Sequence, residues 1–224
     1  MFHPVHLTSC PLFDGVASSD LPGMLDCLSA RRLSGAKGQT ILHEGAPARD
    51  VGVLLSGRAQ LIRTDYGGNR TIISSLEPGD LFAESFACSK AETLPVSIVA
   101  CEDCEYLLLD CRRIMTVCSH ACAFHNRIIF NLLQIVAEKN LAMHQRALIT
   151  GKRTTRDKLM TYLLMQAKEA GRADFSVPFD RQGLADYLEV DRSGLSAEMS
   201  KLKKEGVLDY YKNNFRLMNA ATGE

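Results

Sequence analysis

Three potential metal ligands recur at short spacing near the middle of the chain. Cys118, Cys122 and His125 are separated by four and three positions, so a helix over this segment would place them on one face. Thiolate and imidazole groups are soft to borderline ligands that suit zinc or iron. Ligands from a single helix rarely close a tetrahedral site, so packing of this face against the rest of a domain is the competing interpretation.

A second segment carries residues suited to nucleic-acid binding. A short amphipathic stretch, residues 181–188, is followed by a three-residue turn, 189–191, and a second amphipathic stretch, 192–204. Two helices of this length joined by such a turn predict a helix-turn-helix. Residues 207–218 then show two short apolar runs around Lys212-Asn213-Asn214, which predicts a β-hairpin wing.

The second of these helices predicts how DNA is read. Its exposed N-terminal face carries Arg192, Ser193 and Ser196, and this part of a recognition helix meets base edges in the major groove. An arginine can donate two hydrogen bonds to O6 and N7 of guanine. A structural hairpin with a solvated charged face is the competing interpretation. Contacts to phosphates, which fix register without reading bases, are predicted for Arg181, Gln182, Lys201 and Lys212.

Composition limits the classes of protein that fit these segments. Of the 224 residues, 46% are hydrophobic and 23% are charged, which excludes collagen-like and disordered chains. The 26 basic and 26 acidic residues cancel, but basic residues cluster at 152–158 and 201–204. No apolar run reaches the roughly 20 residues that cross a bilayer, and no signal pattern is visible. We therefore expect a cytoplasmic protein with no membrane partner, whose eight cysteines are mostly reduced and buried.

The N-terminal half has the pattern of a β-sheet domain. Short apolar runs divided by glycine-containing turns fill residues 37–110, including Ser56-Gly57 and Glu77-Pro78-Gly79-Asp80. Many short strands with turn chemistry between them predict an antiparallel sandwich or barrel. A wound α/β sheet would need helical segments between the strands, and this segment contains none.

A long helical segment follows Asp110. A narrow stripe at steps of three and four predicts a coiled-coil-like seam between two copies of the chain. Asn140 on this seam would fix the register of the pair. The alternative is a helix that covers the open side of the β-sheet domain. Gly151 interrupts the pattern and predicts a hinge near residues 150–153. The seam residues are Ile129, Leu132, Val136, Asn140 and Met143.

Taken together, these elements resemble the Crp/Fnr superfamily of bacterial transcription regulators over essentially the whole chain. The resemblance is carried by the segments Gly79-Asp80-Leu81-Phe82-Ala83-Glu84, the long helix, Arg153-Thr154-Thr155-Arg156-Asp157-Lys158-Leu159, Phe179-Asp180-Arg181-Gln182 and Val190-Asp191-Arg192-Ser193. It implies an α+β chain with an N-terminal double-stranded β-helix (jelly-roll) sensor domain, residues 1–115. A dimerisation helix, 116–150, and a C-terminal winged helix-turn-helix, 151–224, follow.

The same resemblance implies the partners and the mode of control. A homodimer would bind a palindromic operator in double-stranded DNA, with RNA polymerase as a further partner. An effector bound in the β-roll would shift the packing of the dimer helices and re-aim the recognition helices. Ser193 and Ala197 stand where the family's recognition helix usually has an acidic residue and a second arginine, and Gly194 is unfavourable in a helix. The operator sequence is therefore not predicted.

Departures from the cyclic-AMP receptor protein narrow the choice of effector. That protein holds the ribose and the cyclic phosphate with a Gly-Glu pair and a later Arg-Ser pair, which are Ala83-Glu84 and Leu94-Pro95 here. Without the arginine, a buried phosphate would lack a charge partner, so cyclic AMP is not expected. The effector is unidentified, and its predicted site comprises Glu84, Ser85, Phe86, Leu94 and Pro95.

The cysteines and histidines also bear on other kinds of sensor and on an enzyme. A fumarate-nitrate-type iron–sulfur cluster needs closely spaced N-terminal cysteines, and only Cys10 and Cys27 lie near the start. A redox- or metal-sensing regulator would use the Cys118, Cys122 and His125 group on the same scaffold. A small anionic or aromatic effector that needs no arginine is another alternative. A cupin-like enzyme is not expected, because residues 37–110 contain one histidine, His43, and no Gly-x-Ser-x-Gly or phosphate-binding loop occurs.

Overall fold

The computed structural model describes residues 7, 10–64, 66–67, 70–116 and 123–218. The chain divides into two compact units, Met1–Glu138 and Lys139–Glu224. The division falls inside the long helix, and the domain limits expected after residues 115 and 150 remain predictions. In the part of the chain that the structure describes, no helix has both the length and the apolar composition needed to cross a bilayer.

The N-terminal unit is a β-roll with helices at its ends. Its strands are β1 (Arg31–Gly35), β2 (Thr40–Leu42), β3 (Asp50–Ser56), β4 (Ala59–Thr64), β5 (Arg70–Leu76), β6 (Leu81–Phe82), β7 (Ser97–Ala100) and β8 (Cys104–Asp110). They form two antiparallel sheets, with orders β1-β8-β3-β6 and β2-β7-β4-β5. The helices are α1 (Leu21–Cys27), α2 (Glu84–Ala87), α3 (Cys111–Met115) and α4 (Ala123–Thr150). The predicted jelly-roll is confirmed.

Strand β3 is buried on both of its faces. Val51, Val53 and Leu55 belong to an apolar cluster that includes residues of α1 and α4. Leu54 belongs to a second cluster, which also contains Ile98 of the other sheet. Successive side chains of a strand point to opposite faces, so β3 separates the two clusters. This double burial explains why the strand is a continuous apolar run instead of an alternating one.

A close approach at Gly52 fixes β3 against β6. Gly52 is paired with Phe82 in the antiparallel ladder. A Cβ atom on Gly52 would lie 1.9 Å from a carbon of the Phe82 ring, far inside van der Waals contact. The ring is buried in the cluster between the sheets and has no room to retreat. Only glycine fits at this position.

The first part of α4 covers the β-roll, which places Leu132 of the predicted dimer seam in the core. Leu132 is buried in the same cluster as α1, and Val136 packs against that cluster. Ile129 is half-buried, whereas Asn140 and Met143 are exposed. The stripe read as a seam therefore mixes core residues with solvent-facing ones. The alternative, a helix that covers the open side of the β-sheet domain, describes Leu132 and Val136 correctly.

Another set of apolar residues on α4 faces solvent. Phe130, Leu133, Leu141 and Leu148 are 59%, 66%, 63% and 63% exposed. Their steps of three, eight and seven positions are close to whole turns of an α-helix, so they lie along one side of α4. Large exposed apolar side chains grouped in this way are typical of an interaction surface. We call these four residues the outer stripe of α4.

The C-terminal unit combines four helical segments with a small sheet. Beyond the end of α4 it contains α5 (Thr155–Ala170), β9 (Asp174–Ser176), α6 (Arg181–Leu188), α7 (Arg192–Lys204), β10 (Leu208–Tyr211) and β11 (Asn214–Leu217). The sheet has the order β10-β11-β9, and all its pairs are antiparallel. Ile149, Leu159, Leu184, Leu195 and Phe215 are among the buried residues of its single core cluster. The predicted helix-turn-helix with a hairpin wing is confirmed.

Candidate nucleic-acid interface

The turn between α6 and α7 is held by side-chain caps at both helix starts. The Asp180 carboxylate accepts a hydrogen bond from the Gly183 amide at 2.7 Å, and Asp191 accepts from the Gly194 amide at 2.8 Å. Such caps satisfy amides that the first turn of a helix leaves free. Glu189 ends α6 in the left-handed conformation, which turns the chain sharply toward α7. The local sequence therefore sets both the position and the direction of α7.

Helix α5 supports the same turn from behind. The Lys158 ammonium donates to the Glu189 carbonyl at 3.2 Å. Arg156 forms ion pairs with Glu198 and Glu205, at 3.6 and 2.7 Å, and so joins α5 to α7. The inward face of α7 is apolar, because Leu195, Met199 and Leu202 are buried in the core of the unit. These contacts orient the opposite face of α7 toward solvent.

The outward face of α7 begins with Arg192, whose side chain faces solvent. Arg192 is exposed, and its guanidinium has no hydrogen-bond or ion-pair partner among the residues that the structure describes. The Ser196 hydroxyl donates to the Arg192 carbonyl at 3.0 Å, and the Ser200 hydroxyl donates to the Ser196 carbonyl at 2.9 Å. Short side chains beside a free guanidinium let a helix approach a groove closely. Sequence reasoning missed Ser200, although its spacing of four from Ser196 was a visible signal.

Ser193 stabilises the start of α7, in addition to its predicted contact with DNA. Its hydroxyl donates a hydrogen bond to the Asp191 carboxylate, the same group that caps α7. This bond, followed by the bond from the Gly194 amide, lowers the pKa of Asp191. Both bonds favour the ionised carboxylate that caps α7. Ser193 keeps the start of the recognition helix in place while it remains exposed.

The four residues that are predicted to contact phosphates have different environments in the structure. Arg181 is turned inward: it contacts Met199, and its guanidinium carbon lies 5.1 Å from the centroid of the Tyr210 ring. Arg181 is half-buried and packs on the Tyr210 ring, and its predicted phosphate contact stays a prediction. Gln182 is exposed, with its amide donating to Asp186 at 2.8 Å. Lys201 is exposed in the last turn of α7.

Lys212 lies in the turn of the wing. It adopts a left-handed backbone conformation, with φ of 55°, between the paired strands β10 and β11. Its ammonium lies 5.6 Å from the centroid of the Tyr211 ring, and Tyr211 is 72% exposed. The wing therefore presents a cation and an aromatic side chain at its tip. This placement is compatible with the predicted phosphate contact.

The predicted effector residues separate into buried and exposed groups. Glu84 is 4% exposed at the start of α2, and the hydroxyl of exposed Ser85 donates to its carboxylate at 3.2 Å. Phe86 is half-buried and packs against the cluster between the two sheets. Leu94 is 2% exposed within that cluster, whereas the adjacent Pro95 is exposed. The β-roll therefore brings Phe86 and Leu94 to one apolar cluster.

The position of Leu94 is fixed by backbone bonds as well as by packing. Its amide donates to the Ala46 carbonyl at 2.8 Å, and its carbonyl accepts from the Gly45 amide at 2.8 Å. The side chain shares its cluster with Phe82 and Ile98. A position at which the resemblance expects a phosphate-binding arginine is thus occupied by a core leucine.

The backbone before Glu84 keeps the shape that a glycine would favour. Ala83 adopts φ of 61° and ψ of 0°, the left-handed region, at the cap of α2. A non-glycine residue in this region costs about 1–2 kcal/mol. Ala83 thus holds a conformation that glycine adopts without this cost. Buried Glu84 consequently begins α2 in a fixed orientation.

The proposed metal ligands lie partly outside the described residues. Cys118 and Cys122 fall in the segment that the structure does not describe. His125 is buried, with Nε2 3.1 Å from the Arg113 carbonyl oxygen, and its Nδ1 has no hydrogen-bond partner among the described residues. Within those residues, no group of three or more histidine, cysteine or acidic side chains is arranged to hold a metal ion. The metal hypothesis stays a prediction.

Family comparisons agree with the two units. Residues 32–120 match the family model of the cyclic nucleotide-binding domain. Residues 157–222 match that of the Crp-like helix-turn-helix domain. The two matches together span more than half of the chain.

Two curated relatives match this chain over different lengths. The transcriptional activator protein FnrL of Cereibacter sphaeroides is 25% identical over 186 residues, covering 76% of this chain and 69% of its own length. The cyclic AMP receptor protein of Thermus thermophilus is 32% identical over 99 residues, or 44% of each chain. The first match extends over most of both proteins, and the second over less than half.

Solved structures share the fold at low sequence identity. CprK in complex with OCPA has a TM-score of 0.66 at 14% identity, covering 90% of each chain. The c-di-GMP responsive global regulator CLP of Xanthomonas campestris has a TM-score of 0.56 at 16% identity, covering 91% of this chain and 100% of its own. With the β-roll, the long helix and the winged helix-turn-helix described above, these matches lead to one conclusion. The chain belongs to the Crp/Fnr family of transcription regulators, with a sensor domain of the cyclic nucleotide-binding type and a DNA-binding domain of the Crp-like helix-turn-helix type.

Proposed function

We propose that two copies of the chain bind a palindromic operator, with α7 of each copy in the major groove. The observation that carries the proposal is the outward face of α7, where exposed Arg192 has no partner among the described residues. A guanidinium that is free in this position can donate to O6 and N7 of one guanine. Ser193, Ser196 and Ser200 line the same helix and can donate to base edges or phosphates.

We assign phosphate contacts to three of the four residues that the sequence predicts. Gln182, Lys201 and Lys212 are exposed at the start of α6, the end of α7 and the tip of the wing. Lysines hold phosphates as point charges and contribute to affinity without selecting sequence. Arg181 is left out, because its guanidinium packs on Tyr210. RNA polymerase is the further partner that a regulator bound beside a promoter would contact.

We further propose that the dimer forms along the outer stripe of α4. Phe130, Leu133, Leu141 and Leu148 are large, apolar and exposed in the single chain. They lie along one side of a 28-residue helix, opposite the residues that pack in the core. A second copy of the same helix is the occupant that covers such a stripe symmetrically. The stripe replaces the sequence-based seam, of which Leu132 is a core residue.

Two matched substitutions by glutamate test whether the dimer forms along the outer stripe or along the seam predicted from the sequence. Leu141→Glu places a carboxylate on the outer stripe, and Met143→Glu places one on an exposed position of the sequence-based seam. Because burying an unpaired charge is costly, we expect Leu141→Glu to shift the monomer–dimer equilibrium toward monomer by about tenfold or more. Met143→Glu should leave the dimer intact. Sedimentation velocity measures both, and dissociation by Met143→Glu with an intact Leu141→Glu dimer would reject the outer stripe.

We infer that the effector is not cyclic AMP. The inference is supported by buried Leu94, which occupies the place of the arginine that would pair with a cyclic phosphate. Glu84 is retained at the start of α2, where it is buried and accepts a hydrogen bond from Ser85. A small molecule that needs no arginine suits this site better than a nucleotide.

One selection experiment tests the operator and the effector together. Full-length protein is used to enrich double-stranded DNA from a random pool, with and without cyclic AMP. We expect an enriched palindrome whose half-sites lie about 34 Å apart, one turn of DNA. Cyclic AMP should change neither the consensus nor the affinity. Enrichment without symmetry would contradict the dimer, and a cyclic AMP-dependent consensus would contradict the effector assignment.

A further inference from the structure

Two cysteines of the N-terminal unit meet although they are 23 positions apart in the sequence. Cys88 follows α2, where its amide donates to the Glu84 carbonyl at 2.9 Å. Cys111 begins α3 directly after β8, and its amide donates to the Arg49 carbonyl at 3.0 Å. The two Sγ atoms lie 3.3 Å apart.

The strand order explains why this contact belongs to the fold. Strand β3 is paired with β6 on one side and with β8 on the other. Helix α2 follows β6, and α3 follows β8, so both helices start from strands that flank β3. The cysteines are therefore held by two anchored backbone segments. A change in their separation requires α2 or α3 to move.

The two thiols have unequal environments. Cys88 is exposed, whereas Cys111 is 4% exposed within an apolar cluster. The hydrogen bond from the Cys111 thiol lowers the pKa of Cys88. The same bond, together with burial, raises the pKa of Cys111. An accessible sulfur with greater thiolate character beside a buried thiol is the arrangement of an attacking and a resolving cysteine.

Space and access are present beside the pair. A cavity of about 390 Å³ is lined by residues next to both cysteines in sequence, including Ala87, Ser89 and Arg112. Arg49, whose carbonyl holds the Cys111 amide, lines the same cavity. A disulfide bond is about 2.05 Å long, so the sulfurs must approach by little more than 1 Å. A small hydroperoxide can reach Cys88 from solvent.

We propose that Cys88 and Cys111 form a reversible disulfide when the protein reacts with hydrogen peroxide. The Cys88 thiolate attacks one peroxide oxygen, the O–O bond breaks, and hydroxide leaves as Cys88 becomes a sulfenic acid. The Cys111 sulfur then attacks the Cys88 sulfur, the S–O bond breaks, and the departing hydroxide takes the thiol proton as water. Two thiols lose two electrons and two protons in total, and the peroxide is reduced to two molecules of water.

The disulfide would connect two parts of the sensor that are otherwise joined through β3. Helix α2 carries the predicted effector residues Glu84, Ser85 and Phe86, and α3 precedes the long helix α4 in the chain. A covalent tie between α2 and α3 restricts any motion of α2 relative to the segment leading to α4. That oxidation alters operator affinity is a consequence that rests on the proposed function. The bond itself does not.

Peptide mapping of the full-length protein tests the bond directly. Reduced protein is treated with hydrogen peroxide, free thiols are blocked with N-ethylmaleimide, and the chain is cut after Lys, Arg and Glu. The sequence then places each cysteine alone in a short peptide, Ser85–Lys90 for Cys88 and Tyr106–Arg112 for Cys111. We expect these two peptides to be joined by a bond that dithiothreitol breaks. Maleimide labelling of Cys88 should fall at least tenfold.

Two variants complete the test. Cys88→Ser removes an exposed thiol, so the protein should fold normally and yield no joined peptide. Cys101→Ser, at a half-buried cysteine outside the pair, should retain the joined peptide. The proposal is overturned if both thiols stay free, if Cys88 ends as a sulfinic acid, or if Cys88 is joined to another cysteine. A joined peptide in a protein that selects no DNA would support the bond while rejecting the proposed function.

If the bond forms, operator affinity tests its consequence separately. We expect peroxide to change the affinity of the wild type at least threefold, reversibly with dithiothreitol, and to leave Cys88→Ser unchanged. An equal response in the wild type and in Cys88→Ser would reject the regulatory role. An unchanged wild-type affinity despite complete disulfide formation would reject it as well.

Discussion

The two units differ in where their predicted functional residues lie, on the surface in the C-terminal unit and in the core in the N-terminal unit. In the C-terminal unit, Arg192 remains exposed, and a buried apolar face behind it holds the helix in place. In the N-terminal unit, Leu94 fills the position where the resemblance expects a charged ligand-binding group, and it belongs to the core. Substitution of an exposed residue can change a contact with a ligand without changing the fold. Leu94 differs because replacing it would alter core packing and the site together.

The comparison shows how tolerance of substitution differs between the units. In the sensor, Gly52 lies against a buried aromatic ring, and Ala83 accepts a left-handed conformation to start α2. In the recognition helix, the nearest atom to a Cβ on Gly194 would be 3.7 Å away, which is ordinary contact. The sensor site is thus defined by tight packing. The DNA-reading face is defined by what projects from a well-supported helix.

The largest effect on stability is expected from Gly52→Ala. The added methyl group would overlap the Phe82 ring, and overpacking of this kind costs about 3 kcal/mol of unfolding free energy. Gly194→Ala, in the first turn of α7, is the matched control in the other unit, where we expect a gain of about 0.4–1 kcal/mol because alanine lowers the conformational entropy of the unfolded chain. Urea denaturation followed by circular dichroism measures both. Equal stabilities of the two variants would show that the contrast between the units is wrong.

A smaller effect is expected at high pH in the C-terminal unit. Burial raises the pKa of Tyr162 to about 12, whereas an unfolded tyrosine titrates near pH 10. The neutral ring therefore contributes stability that is complete below pH 10 and is lost as pH rises from 10 toward 12. At about 1.4 kcal/mol per pKa unit, the shift corresponds to roughly 3 kcal/mol in total, of which roughly 2 kcal/mol is lost between pH 10 and 12.

Two tyrosine-to-phenylalanine substitutions test whether Tyr162 causes this pH dependence of stability. Tyr162→Phe removes the titrating group, so the free energy of unfolding should fall less between pH 10 and 12 than in the wild type. Tyr211→Phe removes a tyrosine that is 72% exposed and should leave the wild-type loss unchanged. Urea titrations at both pH values provide the measurement. A Tyr162→Phe profile that matches the wild type would show that the buried phenol does not set it.

Elements with strong local signals could be predicted from the sequence. The turn at 189–191 and the caps Asp180 and Asp191 are coded within a few residues, and the structure confirms the helix-turn-helix that they predict. The runs between glycine turns likewise predicted the β-roll. Arg192 and Ser196 could be placed on α7 because a helix has a fixed period.

Features that depend on distant residues could not be predicted in this way. Arg181 packs on Tyr210, which is 29 positions away and reaches it only through the fold of the wing. The periodicity of α4 contains two apolar stripes, and their environments decide which one is core: Leu132 packs under the β-roll, whereas Leu133 faces solvent. Cys88 and Cys111 meet because their strands share β3 as a neighbour, a pairing that no local spacing reveals.

The most direct test of the account measures where Arg192 acts. Full-length wild type and Arg192→Ala are compared on the selected operator and on a scrambled duplex of the same length and salt. If Arg192 reads a base pair, its loss should weaken operator binding by about 1–3 kcal/mol and leave the scrambled duplex almost unaffected. Lys201→Ala, the phosphate-contact control, should weaken both duplexes alike and reduce the salt dependence. Equal losses on the two duplexes for Arg192→Ala would contradict base reading by α7.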